Sequence, residues 1–277
     1  MSSQIISDST SYLPQDILNE YGIITIPLNI QLDGKSYKEG QDILNDKFYS
    51  LLRTSNDFPS TSQPPTGEFL KVFRNLQPNQ EALVILISSE LSGTVQSALM
   101  ARSMLEPDLQ SQITIIDSRT TAGGLGFQLI KAGEMLVQGK TTTQVAAELE
   151  RIQAKQDLFF VVDNLEYLVR GGRLGKKSGL IGNLLQLKPV LHLQNGRIEL
   201  FNKVRTSTRA LKTILDQIEL NYAKPEKLCV IHVQAEEKGK ELQNILQTQY
   251  GFPVLFCEAG PVIGSHVGPG ALGIAVY

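Results

Sequence analysis

Short runs of Ile, Val and Leu alternate along the chain with longer segments that place apolar residues three or four positions apart. The short runs predict β-strands and the longer segments predict amphipathic helices. In the first half of the chain, strands are predicted at residues 4–7, 82–88 and 112–117. Helices are predicted at residues 13–21, 46–53, 66–76 and 92–105. Thr66 and Ser92 are expected to cap the last two helices. This alternation favours an N-terminal α/β lobe with a parallel sheet flanked by helices.

The pattern changes after two consecutive helix predictions, at residues 125–138 and 141–153. Strands are then predicted at residues 159–163, 189–193, 197–204, 228–233 and 254–257, with helices at 211–220 and 238–249. Asn195-Gly196 is a strong hairpin signal and predicts an antiparallel component. Because the 277 residues exceed the about 100–200 of a typical domain, we predict two lobes. The N-terminal α/β lobe would span residues 1–156, and a C-terminal α/β lobe with antiparallel strands would span 157–277.

The charge balance gives no support for binding to nucleic acid or to a membrane surface, since 26 Lys and Arg face 28 Asp and Glu. Cys229 and Cys257 lie in apolar strand-like runs, without a C-x-x-C motif or a histidine at metal-ligand spacing. Buried free thiols in a reducing compartment are therefore expected, with no metal site. No apolar run approaches the about 20 residues of a membrane span. We expect a cytoplasmic protein without an integral membrane segment.

The run 162–179 concentrates more special residues than any other part of the chain. Its four glycines allow sharp turns and close approach of the backbone, and its cations are Arg170, Arg173, Lys176 and Lys177. The composition predicts contact with an anion or with an acidic partner surface. The alternative is a solvated basic turn before a helix. The run departs from the phosphate-loop pattern at Arg170 and Lys177, so we expect no bound nucleotide.

Hydroxyl side chains gather where predicted strands lead into helices, at residues 7–10, 88–94 and 118–121. In an open α/β sheet, ligands bind beyond these carboxyl ends of the strands. His192 and His232 lie inside strand-like runs and are expected to be structural. His266 stands among glycines, where the backbone can approach a ligand, and an imidazole can donate to a carboxylate. The G-x-G-x-x-G match at residues 268–273 has no helix after it and predicts no dinucleotide site.

Several short motifs accompany the run 162–179 along the chain: Ile5-Ile6-Ser7-Asp8-Ser9-Thr10, Thr61-Ser62-Gln63-Pro64, Gly67-Glu68-Phe69, Ile87-Ser88-Ser89-Glu90-Leu91-Ser92-Gly93-Thr94, Ile116-Asp117-Ser118 and Ser265-His266-Val267-Gly268-Pro269-Gly270. With these motifs in family order, the chain resembles the DegV family of bacterial fatty-acid-binding proteins over residues 4–276. The resemblance implies a long-chain fatty acid bound between the lobes. It also implies that the carboxylate is presented to a separate ATP-dependent fatty acid kinase, which makes an acyl phosphate for phospholipid synthesis. The chain itself would need no catalytic residue and no cofactor.

The same resemblance assigns roles to particular residues. It implies that the carboxylate contacts Thr61, Ser62, Ser92, Gly93 and His266. The cations Arg170, Arg173, Lys176 and Lys177 are candidates for docking the kinase. Candidates for an apolar tunnel are Leu28, Ile30, Phe159, Val161, Leu180, Ile181, Leu184, Leu185 and Leu191, although the sequence does not separate tunnel lining from ordinary core.

Two other classes of function compete with the carrier. A serine esterase could use Ser92 with His266, because a hydroxyl and an imidazole form part of a catalytic triad. Ser92 lacks the G-x-S-x-G context that would place it on a strained elbow, which weighs against this interpretation. A regulatory module that senses a lipid and binds another partner is the third class.

Overall fold

The computed structural model describes residues 3–174 and 187–277, and its strands form three sheets. The elements up to residue 155 are β1 (Ser3–Asp8), α1 (Gln15–Glu20), β2 (Ile24–Ile26), β3 (Asn29–Leu32), β4 (Lys35–Lys38), α2 (Asn45–Thr54), β5 (Ser60–Ser62), α3 (Thr66–Arg74), β6 (Glu81–Leu86), α4 (Thr94–Ser103), α5 (Pro107–Ser111), β7 (Ile113–Asp117), α6 (Ala122–Val137) and α7 (Thr142–Lys155). Those that follow are β8 (Asp157–Val161), α8 (Glu166–Arg170), β9 (Lys188–Gln194), β10 (Arg197–Val204), α9 (Ser207–Asn221), β11 (Leu228–His232), α10 (Glu236–Tyr250), β12 (Leu255–Glu258), α11 (Pro261–Val267) and β13 (Leu272–Val276).

The first sheet is parallel and has the strand order β2-β1-β6-β7. Its central strand β6 is an almost continuous apolar run because helices cover both faces. Val84 and Leu86 pack with Phe69 and Phe73 of α3 on one face. Leu83 and Ile85 join the larger core on the other face, together with residues of α6 and α7. The carboxyl ends of these strands therefore point to one edge, where the hydroxyl-rich loops lie.

The second sheet has the order β10-β9-β8-β13-β11-β12. Only the β11–β12 pair is parallel, and the β9–β10 hairpin turns at Asn195-Gly196 as predicted. Helices α9 and α10 cover one face. The other face looks toward the first sheet, with Phe160 and Ile231 in the shared core. The third sheet, β4-β3-β5, is small and antiparallel, and α11 packs on it.

Helix α6 is shared between the first and second sheets, and small residues make this possible. A Cβ atom at Gly123 would lie 2.5 Å from Cys229 Sγ, so β11 approaches the helix backbone closely. Cys229 and Cys257 are buried free thiols, as predicted, with their sulfur atoms 3.8 Å apart. The close approach joins the two larger sheets through one helix and leaves space between them beyond its N-terminus.

The predicted fold class is confirmed: a parallel sheet flanked by helices is followed by an α/β unit with antiparallel strands. The expected N-caps are wrong. Helix α3 starts at Thr66 itself, and α4 starts at Thr94 after Gly93, and in neither does the preceding residue form a side-chain cap. Strand β13 was not predicted, although Leu272 to Val276 is an apolar run. The chain passes between sheets after Lys155; the division into lobes at residue 156 stays a prediction.

Helices that could cross a membrane are absent from residues 3–174 and 187–277, where none is both long and apolar enough. Within the same ranges, no group of three or more His, Cys, Asp and Glu side chains is arranged to hold a metal ion.

Candidate functional site

An apolar cavity lies between the sheets, at the edge where the strands of the first sheet end. It encloses about 850 Å³ of empty space, including its opening to solvent. Its apolar lining comes from both halves of the chain and includes Leu28, Ile87, Leu91, Leu158, Phe160, Leu193, Ile198, Ile231, Val233, Val262, Ile263, Val267 and Leu272. Such a lining suits an aliphatic ligand.

Polar side chains enter the cavity mainly as one group, which we call the polar cluster: Thr61, Ser62, Gln63, Ser92, Arg173 and His266. They come from β5 and the residue after it, from the loops before α4 and after α8, and from α11. The cluster therefore forms only when distant parts of the chain meet. One further polar residue, Thr121, lines the cavity outside this cluster.

Thr61 and His266 form the central contact of the polar cluster. Pairing of Thr61 with Ile30 holds the threonine in the third sheet, and α11 carries the histidine against that sheet. Thr61 Oγ1 lies 2.7 Å from His266 Nε2. Burial, and then the positive charge of Arg173, lower the pKa of His266 to about 3. The imidazole is therefore neutral at pH 7 and offers one N–H, rather than the positive charge that its ordinary pKa would allow.

Arg173 supplies the positive charge of the polar cluster. Its Nε donates to the carbonyl oxygen of Leu91 at 3.2 Å, and its Nη1 donates to the carbonyl oxygen of Gly171 at 2.5 Å. Burial lowers its pKa, but a guanidinium stays charged at neutral pH. These two bonds use two of five N–H donors. A charge held by backbone carbonyls beside an apolar cavity favours a single anionic group as ligand.

Gly171 packs directly against His266. A Cβ atom at this position would overlap Nδ1 of the imidazole, so only glycine fits. Within the described ranges, Nδ1 is buried and has no hydrogen-bond partner. Gly171 thus lets the backbone of the loop that bears Arg173 lie directly against the histidine.

Ser92 lines the cavity, and the next residue, Gly93, packs against the Gln63 side chain. Ser92 Oγ is 2.8 Å from Thr94 Oγ1, the first residue of α4. A Cβ atom at Gly93 would lie 3.0 Å from the Gln63 side chain. The structure thus brings four predicted residues, Thr61, Ser62, Ser92 and His266, to the cavity lining, with Gly93 beside it. Their contact with a carboxylate stays a prediction.

Glu39 fixes the start of α11, the helix that carries His266. The Glu39 side chain is buried, and its carboxylate accepts hydrogen bonds from the Val262 N–H at 2.7 Å, the Tyr12 hydroxyl at 3.1 Å and the Ser9 hydroxyl at 2.5 Å. Burial raises the pKa of Glu39 from 4.5 to about 7. No feature of the sequence pattern had singled this residue out.

Glu39 should make stability fall as the pH rises from about 4.5 to about 7. In this interval the unfolded chain has released its proton while the folded protein keeps it, so folding becomes less favourable by up to about 3 kcal/mol. Glu39→Gln cannot titrate. Urea titrations across this range give the unfolding free energy of the wild type and of Glu39→Gln. The wild-type value minus the variant value should decrease as the pH rises. A difference that stays constant with pH would contradict the assignment.

The structure describes five of the tunnel candidates. Among these five, Leu28 lines the cavity, whereas Ile30, Phe159, Val161 and Leu191 are core residues. In β8 the alternation of side chains turns Phe159 and Val161 toward α9 and α10, and turns Leu158 and Phe160 toward the cavity. The remaining candidates, Leu180, Ile181, Leu184 and Leu185, lie outside the described residues.

The cations of the run 162–179 do not all lie in the same environment. Arg170 is exposed, pairs with Glu166 at 2.6 Å and stacks over the Phe58 ring at 5.0 Å. Arg173 faces the cavity instead, which the spacing of the cations along the sequence did not reveal. Lys176 and Lys177 lie outside the described residues. Docking of a partner by these cations stays a prediction.

The geometry needed for a serine esterase is not formed in the part of the chain that the structure describes. Ser92 pairs with Thr94 and His266 pairs with Thr61, so the nucleophile and base do not meet. A triad also needs an acid that orients the other imidazole nitrogen, and His266 Nδ1 has no partner there.

The other two histidines have structural partners. His192 Nε2 lies 2.7 Å from Asp157 Oδ1, and the ring stacks on Phe159. His232 Nδ1 accepts from the Ala235 N–H at 3.4 Å. Both lie in strands of the second sheet, as expected.

Fold and site together define an α/β protein that encloses an apolar cavity with a polar cluster in its wall. The sequence matches the family described as "Uncharacterised protein, DegV family" over residues 2–277. The chain belongs to the DegV family, which confirms the resemblance.

Known relatives match along nearly their whole length. A DegV domain-containing protein of Listeria innocua is 38% identical over 277 residues, covering 98% of this chain and 96% of the relative. A solved structure of a DegV family protein from Thermus thermophilus, described by its fatty acid binding, has 34% identity and a TM-score of 0.90, covering 100% of this chain and 99% of that one. Bacillus subtilis DegV, described as a fatty acid binding protein, has 32% identity and a TM-score of 0.91 over 100% and 99% of the two chains.

Proposed function

We propose that this protein binds a long-chain fatty acid in the apolar cavity, with the carboxylate at the polar cluster. The observation that carries the proposal is the meeting of Arg173, His266 and Thr61 in the wall of an otherwise apolar space. Solved relatives described as fatty acid binding proteins support the same ligand. Each methylene removed from water contributes about 0.8 kcal/mol, so an enclosed alkyl chain supplies most of the affinity.

The carboxylate would be held by one charge and several hydrogen bonds. Arg173 has N–H donors beyond those bonded to Leu91 and Gly171, and the Thr61 and Ser92 hydroxyls can also donate. Thr61 and His266 share one hydrogen bond, so the Thr61 hydroxyl is free to donate to the carboxylate when His266 Nε2–H donates to Thr61 Oγ1. The pair thus supplies one donor. We therefore assign Arg173 to the headgroup site, in place of the purely docking role expected from the sequence.

In the second part of the proposal, this protein is a carrier. It presents the carboxylate to a separate ATP-dependent kinase, which forms the acyl phosphate. Support comes from the family resemblance and from Arg170, an exposed cation of α8 that pairs with Glu166 and lies just before the loop that bears Arg173. The carrier supplies no bond-breaking residue in this scheme.

The test is native mass spectrometry of the protein as purified, followed by incubation with a fatty acid kinase and ATP. We expect a non-covalent complex with a fatty acid, uptake of added palmitate or oleate after extraction, and formation of acyl phosphate. Unliganded protein that takes up neither acid would contradict binding. Bound acid without acyl phosphate would contradict only the carrier role.

Arg170→Glu serves as the variant for the docking surface in that experiment. It should leave the bound acid unchanged and slow acyl phosphate formation, because charge complementarity raises association rates and is screened by salt. Lys212→Glu is the matched control, since Lys212 is also an exposed cation in a pair four residues apart on a helix. Equal rates for the two variants would remove Arg170 from the docking surface.

A further inference from the structure

Among the described residues, Thr121 is the polar residue that lines the cavity outside the polar cluster. It precedes α6 and lines the cavity, and 8% of its surface is exposed. Its Oγ1 is buried and has no hydrogen-bond partner among the described residues. A buried hydroxyl without a partner is costly, and such groups in native proteins call for an explanation.

The usual role of a threonine at this place does not explain Thr121. As the N-cap of α6 it could accept a hydrogen bond from the first turn, yet its side chain makes no capping bond. The Gly124 and Leu125 N–H groups bond instead to the Thr121 backbone carbonyl, at 3.1 and 3.3 Å. The hydroxyl is thus free to act elsewhere.

Thr121 precedes α6, an element that carries no member of the polar cluster. The neighbouring Ala122 lines the cavity, and the next residue, Gly123, packs on β11 of the second sheet. The polar cluster is carried by β5, α11 and the loops before α4 and after α8. The Thr121 hydroxyl oxygen is already shut off from water, so an aliphatic chain against it would leave its hydrogen bond unmade.

We propose that Thr121 recognises an oxygen substituent on the bound chain, so that the preferred ligand is a long-chain fatty acid carrying one hydroxyl group along its alkyl chain. This inference rests on the proposed function, because it takes the chain to lie in this cavity. A hydroxyl substituent can both donate and accept, as can the threonine hydroxyl. The pair would satisfy both groups in a water-free wall, where an unpaired polar group is expensive.

The experiment compares octadecanoic acid with a set of octadecanoic acids that each carry one hydroxyl at a different carbon, in competition binding to the delipidated full chain. Wild type should favour one position over the others by about tenfold, the effect of one hydrogen bond in a dry site. Thr121→Val has nearly the same shape without the hydroxyl. It should lose this preference and bind octadecanoic acid at least as tightly as wild type.

Two further variants keep the test decisive. Thr121→Ser retains the hydroxyl and should keep the preference. Thr25→Val is the matched control, since Thr25 Oγ1 is also buried and unpartnered in the described structure but does not line the cavity. It should behave as wild type. A wild type that favours no hydroxyl position, or an undiminished preference in Thr121→Val, would overturn the inference. Failure of all variants and of wild type to bind octadecanoic acid would instead overturn the proposed function.

Discussion

Leu193→Trp is expected to weaken binding of long-chain fatty acids by about a hundredfold. Leu193 lies in β9 and lines the cavity beside Ile198, its partner in the neighbouring strand β10. The indole would occupy space meant for about three or four methylenes, and each methylene kept in water costs about 0.8 kcal/mol. The sum of about 3 kcal/mol corresponds to the hundredfold loss. Equilibrium titration of delipidated protein with oleate measures the effect.

The matching change in the opposite direction is Leu193→Ala. It enlarges the cavity, so binding should persist and the preferred chain should become longer. Leu220→Trp adds the same side chain at a residue that is 77% exposed and should leave binding unchanged. If Leu193→Trp folds with an unaltered circular dichroism spectrum and still binds oleate as wild type does, the ligand does not occupy this cavity.

Arg173→Gln and Thr61→Val should each weaken binding of a fatty acid by about ten- to a hundredfold, since a hydrogen bond to a charged group is worth about 1.5–3 kcal/mol. Binding of the corresponding methyl ester should change little, because the ester carries no charge. Ser92→Ala should have the smallest effect of the polar-cluster changes, because the Ser92 hydroxyl already pairs with Thr94. Parallel titrations with the acid and the ester give the ratio of the two dissociation constants for each variant.

Thr142→Val is the control for these polar changes. Thr142 is also buried but bonds to Glu81 away from the cavity, at 2.9 Å, so both ligands should bind this variant as they bind wild type. Equal losses of acid and ester in Arg173→Gln would show that the guanidinium supports the loop rather than the carboxylate. Unchanged acid binding with slower acyl phosphate formation would return Arg173 to the docking surface.

The order and type of the main elements could be predicted because each rests on local chemistry. Residues 82–87 are apolar throughout, as a strand covered on both faces requires, and Asn195-Gly196 adopts the positive φ angles that a tight hairpin needs. Short elements were missed where the signal was weak. Strands β2 to β5 have three or four residues each, and a strand this short gives almost no periodicity.

The residues of the polar cluster were predicted in part. Thr61, Ser62, Ser92 and His266 line the cavity, and the family motifs had pointed to them. Arg173 was singled out for its charge and was expected to lie on the surface that docks the kinase. Its direction depends on two backbone carbonyls, those of Leu91 and Gly171, which meet only in the folded chain. Thr121 was one hydroxyl among several at a strand end, and nothing local marked it as unpartnered.

By itself, the sequence determined the α/β class, the family and the burial of the two thiols, because these follow from residue type, periodicity and motif. The tertiary structure alone decided which side chains face the cavity. A strand turns alternate residues to opposite faces, so Phe160 lines the cavity while Phe159 belongs to the core behind it. Charge states were decided there as well. Burial beside Arg173 lowers the pKa of His266 to about 3, and burial of Glu39 raises its pKa to about 7. Desolvation exists only once distant segments have packed together.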